Sequence, residues 1–460
     1  MSDAYGGTTA DPQRHGGFLA NVNLIFLSTL TVYVLSFLII VAVSQFLGSE
    51  GRGVTALYQT SINLSYAFIS FGVSIAALYY VSRGEVSARQ ALEAGLSTTV
   101  LSALLAAAAA AVLEALAGEW LSDAGVPQWF VVLAIPLVVQ FRLVEVLLRS
   151  DGRFLIVSII EAAVPFVTLA GLVALEVAGS LTVPRAILLW SLSPLPSVLA
   201  GYAALGVRAW PRGLGTWGVM RRLVSFGMQG QAGNIVQTLN YRLDSYLVAL
   251  FVSSAGVGLY ANGVAVSEAL WLVANSVAVV LIPKLASSDP EYAARATPLV
   301  CRNTMLVTAL SAVAVAAASP FAVPFVFGDE FEGSVEPLLW LLPGAVAMSG
   351  AKVLSAYVFS QGKPMLNTWI SAATLALTLA LDLVLIPPFG VAGAAGASTI
   401  AYCANLVLTL VAYGRISGGR PLDAVLPRLA DVGLFVEGAR STLSRLRGGS
   451  KSPPASLEAG

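Results

Sequence analysis

The sequence predicts an all-α integral membrane protein with twelve transmembrane helices, arranged as two six-helix lobes related by a parallel internal repeat. Of the 460 residues, 57% are apolar and 11% are charged, whereas soluble proteins carry about 25% charged residues. The apolar residues form runs long enough to cross a bilayer, and the basic residues gather in alternate connecting segments. This composition excludes a water-soluble enzyme, a nucleic-acid-binding protein and a disordered protein.

The spans follow from breaking the chain at clusters of charge, glycine and proline, since a transmembrane helix needs about 20 mostly apolar residues. An N-lobe covers residues 18–207, a cytoplasmic linker 208–220 and a C-lobe 221–415. Residues 1–17 are predicted to be a disordered N-terminus and 416–460 a partly disordered tail. The predicted spans are 18–47, 53–82, 88–117, 127–149, 153–178, 182–207, 221–251, 256–285, 293–318, 334–360, 364–386 and 390–415.

The orientation follows from Arg and Lys, which stay on the cytoplasmic side of a membrane. With the N-terminus inside, 19 of the 25 basic residues fall in inner segments, four lie within spans, and only Arg52 and Arg185 lie in outer loops. The outer loop 319–336 has four acidic residues and no basic one. The sequence therefore predicts a multi-pass protein of the cell (plasma or inner) membrane with both termini in the cytoplasm.

The internal repeat is visible as two pairs of similar stretches at nearly the same offset. "FLGSEGRGVTA" at 46–56 matches "FVSSAGVGLYA" at 251–261, and "FRLVEVLLRSDGR" at 141–153 matches "AKVLSAYVFSQGK" at 351–363. The second match places Arg142 opposite Lys352. Six spans return the chain to its starting side, so the halves are parallel repeats, an arrangement typical of transporters that bind substrate between their halves.

Several stretches resemble the polysaccharide (O-antigen, Wzx-type) flippases, a family of the multidrug/oligosaccharidyl-lipid/polysaccharide exporter superfamily. Between about residues 20 and 415 they are "FLGSEGRGVTALYQT", "NYRLDSYLVALF", "VGLYANGVAVSEALW", "FGDEFEGSVEPLLWLLPG", "LSAYVFSQGKP" and "LDLVLIPPFGVAGAAGAS". The resemblance implies a MATE-like fold of two V-arranged lobes and a monomer. It also implies the movement of polyprenyl-diphosphate-linked oligosaccharide repeat units to the outer leaflet by alternating access.

Two cations inside spans, Arg142 and Lys352, suit a diphosphate group. Arg142 and Glu145 are three residues apart on one helix face, and Lys352 is the repeat partner of Arg142. Charges within a membrane face a cavity or a partner, and a guanidinium offers a bidentate fork to phosphate while an ammonium offers a point charge. The alternative is that Arg142 and Lys352 reach along their helices to lipid headgroups.

Polar stripes with helical spacing on three spans suit a sugar-passing cavity, because amides and hydroxyls bind sugar hydroxyls and aromatic rings stack on sugar faces. Packing between helices through small polar groups is the alternative. The predicted cavity residues on these stripes are Gln59, Asn63 and Tyr66 on the second span, Asn234 and Tyr241 on the seventh, and Glu268 and Trp271 on the eighth.

Two further charges on the seventh span complete the predicted site. Arg242 and Asp244 lie about 200° apart around the helix, so we expect one to face the cavity and the other a neighbouring helix. Asp244 or Glu268 is a candidate for a coupling Na⁺ or H⁺. For Asp382, on the eleventh span, structural pairing is favoured.

The sequence predicts no catalytic residues, no cofactor and no metal site. Cys301 and Cys403 lie in apolar runs, and "GKP" at 362–364 lacks the rest of a phosphate-binding loop. Besides the flippase, two other functions fit a polytopic membrane protein. A multidrug or cation antiporter of the same fold is disfavoured by Arg142 and Lys352. A membrane-bound polymerase or ligase is disfavoured because the longest outer loop, 319–336, is short and has no Arg or Lys.

Overall fold

The computed structural model describes residues 12–123, 128–206 and 210–426, and in these ranges the regular structure is helical. Residues 1–11 and 427–460, which hold most of the predicted irregular termini, lie outside the described part. The helices are α1 (Pro12–Ile69), α2 (Val73–Ser82), α3 (Ala88–Asp123), α4 (Gln128–Ser150), α5 (Phe154–Val177), α6 (Val183–Leu192), α7 (Pro194–Leu205), α8 (Trp217–Phe251), α9 (Ser254–Ala269), α10 (Trp271–Ala286), α11 (Pro290–Phe327), α12 (Val335–Ser360) and α13 (Pro364–Ser417), with short 3₁₀ helices at Asp329–Ser334 and Pro421–Ala424.

Seven of the described helical stretches are long and apolar enough to cross a membrane, or eight if the bent pair α9 and α10 counts as one span. Helices α1 and α13 each contain two helical segments, because the backbone breaks at Gly48 (φ 67°) and at Gly390 (φ 56°). These positive φ values are available to glycine without the steric cost that other residues have. An all-helical membrane protein is therefore confirmed.

Prolines within the predicted spans have different effects on the helices. The sixth predicted span breaks at Pro194, where α6 ends and α7 begins. Pro136, Pro165 and Pro283 instead lie inside the continuous helices α4, α5 and α10. The second predicted span breaks where no proline stands, because Phe71 and Gly72 both have positive φ values.

The described chain divides into two compact units. The first unit comprises Met1–Ala265, Ser319–Leu338 and Ser371–Ala397, and the second comprises Val266–Ala318, Leu339–Ile370 and Ser398–Gly460. Within the first unit α1 packs along α5, and α3 packs against α4. The units divide the chain differently from the predicted lobes, which stay a prediction.

Glycines allow two close helix contacts in the first unit. A Cβ atom added at Gly53 would lie 1.7 Å from the carbonyl oxygen of Ser254, and one added at Gly258 would lie 2.1 Å from that of Ser49. Backbone atoms therefore occupy the space that any side chain would need. The helical segment after Gly48 and the first turns of α9 can approach this closely only with glycine at both positions.

We expect Gly53→Ala to destabilise the protein by about 1–3 kcal/mol, because the added methyl group meets backbone rather than a movable side chain. Thermal unfolding of the purified protein in detergent measures the effect. Gly396→Ala is the matched control, since a Cβ at this helical glycine meets nothing within 4 Å. Equal unfolding temperatures for the two variants would contradict the close contact.

Candidate functional site

Arg142 belongs to a chain of four alternating charges in the first unit. Its Nη1 lies 3.0 Å from Oε2 of Glu145, and Nη2 of Arg149 lies 2.8 Å from the other carboxylate oxygen of Glu145. The same Arg149 nitrogen lies 2.5 Å from Oε1 of Glu161 on α5. Positions 142, 145 and 149 share one face of α4 because they are three and four residues apart.

This cluster leaves one guanidinium accessible and firmly oriented. The Glu145 side chain is 3% exposed, whereas the Arg142 side chain is 51% exposed. A buried carboxylate with two arginine partners is satisfied on both oxygens, so it holds Arg142 in place at little cost. A guanidinium has five N–H donors, and most of those on Arg142 remain for a ligand. Arg142 and Glu145 thus share one face of α4, as expected from their spacing, and form an ion pair there.

The polar stripes contribute residues with different degrees of exposure in the first unit. Asn63 and Asn234 are exposed, while Gln59, Tyr66 and Tyr241 are partly buried. Beside them, the hydroxyl groups of Ser61 and Tyr246 lie 2.5 Å apart and join α1 to α8. The stripes therefore include both exposed amides and partly buried residues.

Asp244 and Asp382 form an acidic pair inside the first unit. Asp244 on α8 is 3% exposed and accepts a hydrogen bond of 2.5 Å from the hydroxyl of Tyr260. Asp382 on α13 is fully buried, and neither of its carboxylate oxygens has a hydrogen-bond partner among the described residues. The two carboxylates are close enough to repel each other. The structural pairing favoured for Asp382 is therefore wrong.

Two hydrogen bonds also join α8 to α13, at positions that precede the acidic residues in the chain. The hydroxyl of Thr378 donates to Oδ1 of Asn240 at 3.2 Å, and Ser371 donates to Gln237 at 3.1 Å. The pairs 237/371, 240/378 and 244/382 therefore follow each other along α8 and α13. This ladder aligns the two acidic residues on facing sides of the helices.

Lys352 belongs to the second unit, together with two of the predicted cavity residues. Its Nζ lies 4.9 Å from the ring centroid of Trp271, and Glu268 is close enough to interact electrostatically with it. The Trp271 ring also packs edge-on against Tyr402, with centroids 5.6 Å apart. A cation over an aromatic face is stabilised by the ring quadrupole. The structure thus brings Glu268, Trp271 and Lys352 together, with the Trp271 side chain buried.

Sequence reasoning misplaced Arg52, which was assigned to an outer loop. Arg52 lies one turn after the break at Gly48, is 4% exposed, and donates from Nε to Oδ1 of Asn262 at 2.9 Å. The amide of Asn262 in turn donates to the Ser44 hydroxyl at 2.9 Å. Arg242, partly buried on α8, is close enough to repel Arg52. A single basic residue in an apolar sequence beside glycines carries no signal that distinguishes burial from a loop.

Glu330 in the acidic loop was also missed. Its Oε2 accepts a hydrogen bond of 3.0 Å from the backbone N–H of Ser49, the first residue after the helix break at Gly48. A helix N-terminus has free N–H groups and a partial positive charge, so a carboxylate there is stabilising. Next to it, the Gln45 side chain donates to the Val326 carbonyl at 2.8 Å.

Comparison with solved structures defines the class of the fold. The chain is similar to the lipid II flippase MurJ in an inward closed conformation, with a TM-score of 0.72 and 12% identity over 94% of both chains. It is also similar to an inward-facing multidrug resistance MATE transporter of the MOP superfamily, with a TM-score of 0.69 and 13% identity over 84% of this chain and 94% of that one. The fold is that of the MOP-superfamily transporters, as the resemblance in the sequence implied.

The family is shown by the sequence itself. Residues 26–336 match the model of the family described as polysaccharide biosynthesis protein, and this chain belongs to that family. A curated relative, the probable low-salt glycan biosynthesis flippase Agl15 of Haloferax volcanii, is 23% identical over 170 residues. That match spans 36% of each chain, so it covers about a third of the relative's length. The chain is thus a multi-pass membrane protein of the polysaccharide biosynthesis family, and its fold is shared with solved flippase and MATE transporter structures.

A double-mutant cycle with Arg142→Gln and Glu145→Gln tests the ion pair. We expect a coupling free energy of about 1 kcal/mol, because Glu145 is buried while water screens the exposed part of Arg142. The measurement is unfolding of the single and double variants in detergent. The exposed pair Arg295 and Glu291 is the control and is expected to show a coupling close to zero. Equal coupling in both pairs would contradict an anchoring role for Glu145.

Proposed function

We propose that this protein moves polyprenyl-diphosphate-linked oligosaccharide repeat units from the cytoplasmic to the outer leaflet by alternating access. The observation that supports this most directly is the Arg142 guanidinium, anchored by Glu145 with half of its side chain exposed. A fixed guanidinium suits a phosphate group, which it binds through parallel hydrogen bonds. Membership of a polysaccharide biosynthesis family makes a lipid-linked glycan the matching substrate class.

The second cation of the proposed site is Lys352, with Arg142 providing the first. Lys352 is held over the buried ring of Trp271, which fixes its ammonium group as a charge for phosphate. Asn63 and Asn234 are exposed amides on the polar stripes and supply hydrogen bonds to sugar hydroxyls. The polyprenyl tail stays in the lipid, because burying its apolar length in a polar cavity would lose its favourable transfer free energy.

Twelve spans in two repeated lobes belong to the same proposal. Division of α1 at Gly48 and of α13 at Gly390 gives twelve spans when three pairs are each joined as one span: the second segment of α1 with α2, α6 with α7, and α9 with α10. The reciprocal contacts of Gly53 and Gly258 support the repeat. Gly53 and Gly258 are repeat partners at the offset of 205 found in the sequence, and so are Ser49 and Ser254. Each glycine contacts the serine of the other repeat.

Alternating access requires an end that closes and opens. Contacts within the first unit support closure at the predicted outer end, where segments assigned to different lobes meet. Glu330 binds the N–H of Ser49, and Arg52 binds Asn262. Opening of the outer end would expose these polar groups to water, which can replace their hydrogen-bond partners.

A coupling cation is proposed to bind at Asp244 and Asp382. Two neighbouring carboxylates do not both remain ionised away from water unless a proton or a cation compensates one of them. The hydroxyl of Thr378 and the amide of Asn240 are one turn away and supply neutral oxygens. Na⁺ or H⁺ binding here would link an ion gradient to the movement of the helices α8 and α13.

The substrate proposal is tested by leaflet accessibility of a labelled polyprenyl-diphosphate oligosaccharide in proteoliposomes. We expect Arg142→Gln/Lys352→Gln to slow translocation at least about tenfold, because each variant removes charge-assisted hydrogen bonds to phosphate. Arg185→Gln, at an exposed arginine that donates to the Ser180 carbonyl, is the control and should translocate like wild type. Translocation at the wild-type rate in the double variant would overturn the diphosphate site.

The same assay separates the flippase from the multidrug antiporter of the same fold, which the acidic pair alone would also fit. An antiporter would move organic cations and no glycolipid. Efflux of a fluorescent organic cation by wild type, without glycolipid translocation, would replace the proposed function by the antiporter.

The coupling proposal is tested with imposed gradients of Na⁺ or of pH across the proteoliposome membrane. We expect one of these gradients to accelerate translocation by wild type and neither to affect Asp382→Asn, because the amide cannot exchange a proton or neutralise a cation. Asp329→Asn in the acidic loop, at an exposed position, should keep the wild-type response. An unchanged response in Asp382→Asn would exclude this acidic pair as the coupling site.

A further inference from the structure

A cavity of about 600 Å³ lies at one end of the second unit, where α11 begins and where α12 and α13 end. Three arginines line it, Arg295, Arg302 and Arg420, together with two acidic residues, Glu291 and Asp423. It contains none of the residues to which we assign the transported substrate. The basic residues of the sequence predict that this end faces the cytoplasm.

The backbone after α13 forms one wall of this cavity. Gly418 has φ 69° and ends the helix, and the 3₁₀ turn Pro421–Ala424 follows it. Nη1 of Arg302 donates to the carbonyl of Asp423 in this turn. Pro421 packs on Gly414, where a Cβ would lie 2.5 Å from the proline ring. The cavity is therefore built by the fold rather than left between loose side chains.

The charges of the lining favour an anion. Arg302 is 7% exposed, so its guanidinium is held inside the protein wall. Glu291 pairs with Arg295, and both side chains are more than 70% exposed, so water screens this pair. Three cations against two acids leave one net positive charge at the cavity, and arginine forks match the oxygen geometry of a phosphate.

The remaining lining suits the boundary between lipid and water. The rings of Tyr357 and Tyr413 pack edge-on with centroids 5.0 Å apart, and the Tyr413 hydroxyl donates to the Ala294 carbonyl at 2.7 Å. Ile416 adds apolar surface. Tyrosine is enriched at membrane interfaces because its ring is apolar and its hydroxyl is polar. A cavity of several hundred Å³ accommodates a ligand of headgroup size.

We propose that this cavity binds the phosphate headgroup of an anionic phospholipid from the cytoplasmic leaflet. Arg302 and Arg420 bind the phosphate oxygens, and the acyl chains remain in the bilayer beside the helix ends. Basic pockets among transmembrane helices on the cytoplasmic side are suited to such headgroups. Because the site is independent of the transported glycolipid, its failure would leave the proposed function intact.

The test uses the full chain purified in an uncharged detergent, with retained lipid measured by native mass spectrometry. The probes are short-chain phosphatidylglycerol, phosphatidylcholine with the same chains, and inorganic phosphate. We expect wild type to prefer phosphatidylglycerol over phosphatidylcholine, and Arg420→Gln and Arg302→Gln each to weaken phosphatidylglycerol binding about tenfold, since each loses a charge-assisted hydrogen bond. Arg420 is exposed, so its variant keeps the test valid if the buried Arg302 is needed for folding.

Arg415→Gln is the matched control, because Arg415 is an exposed arginine in the last turn of α13 that does not line the cavity. Its phosphatidylglycerol binding should equal that of wild type. Equal weakening by Arg415→Gln and Arg420→Gln would overturn the site in favour of general surface charge. Equal binding of the two lipids would also overturn it, and inorganic phosphate bound as tightly as phosphatidylglycerol would assign the cavity to a soluble phosphate compound instead of a lipid.

Discussion

A charge that leaves water for the interior of a membrane protein must be neutralised, hydrogen-bonded or kept for a ligand, and this constraint accounts for the polar architecture of the first unit. Glu145 is neutralised on both oxygens by arginines of its own helix. Arg52 has a neutral amide as its hydrogen-bond acceptor. Asp382 has neither. A ligand of opposite charge would therefore gain the least free energy at Glu145, more at Arg52 and the most at Asp382.

Close backbone contact is the second determinant, and it explains how polar residues of distant segments meet. The glycines at 53 and 258 remove two side chains where the segment after Gly48 crosses α9. Asn262 lies one turn beyond Gly258 and Arg52 immediately precedes Gly53, so this approach brings amide and guanidinium into hydrogen-bond distance. Substitution of either glycine would therefore disturb the polar contact as well as the packing.

The helical membrane class and the shared helix face of Arg142 and Glu145 could be predicted from the sequence, because they depend on composition and on spacing along one helix. The burial of Arg52 and the isolation of Asp382 could not, because each depends on which residues of other helices lie opposite. Asp382 looks the same in the sequence whether a lysine or another acid faces it. Helix breaks were partly predictable: Pro194 ends a helix, but the break at Phe71 and Gly72 has no proline and occurs where Gly72 meets the backbone of Gly227.

In the proposed transport cycle, the paired guanidinium of Arg142 and the carboxylate of Asp382 have complementary roles. An anchored guanidinium that is already paired with Glu145 gains only part of a new interaction when phosphate arrives, so it can bind the headgroup and release it again. An acid such as Asp382 is costly to leave charged without a partner, so it favours uptake of a cation before its helix moves. Moving each negative charge of a diphosphate across the membrane is worth about 2.3 kcal/mol per 100 mV. A potential that is negative inside therefore assists the loaded step, and the step that remains to be driven is the return of the empty protein, where a cation bound at Asp244 and Asp382 would act.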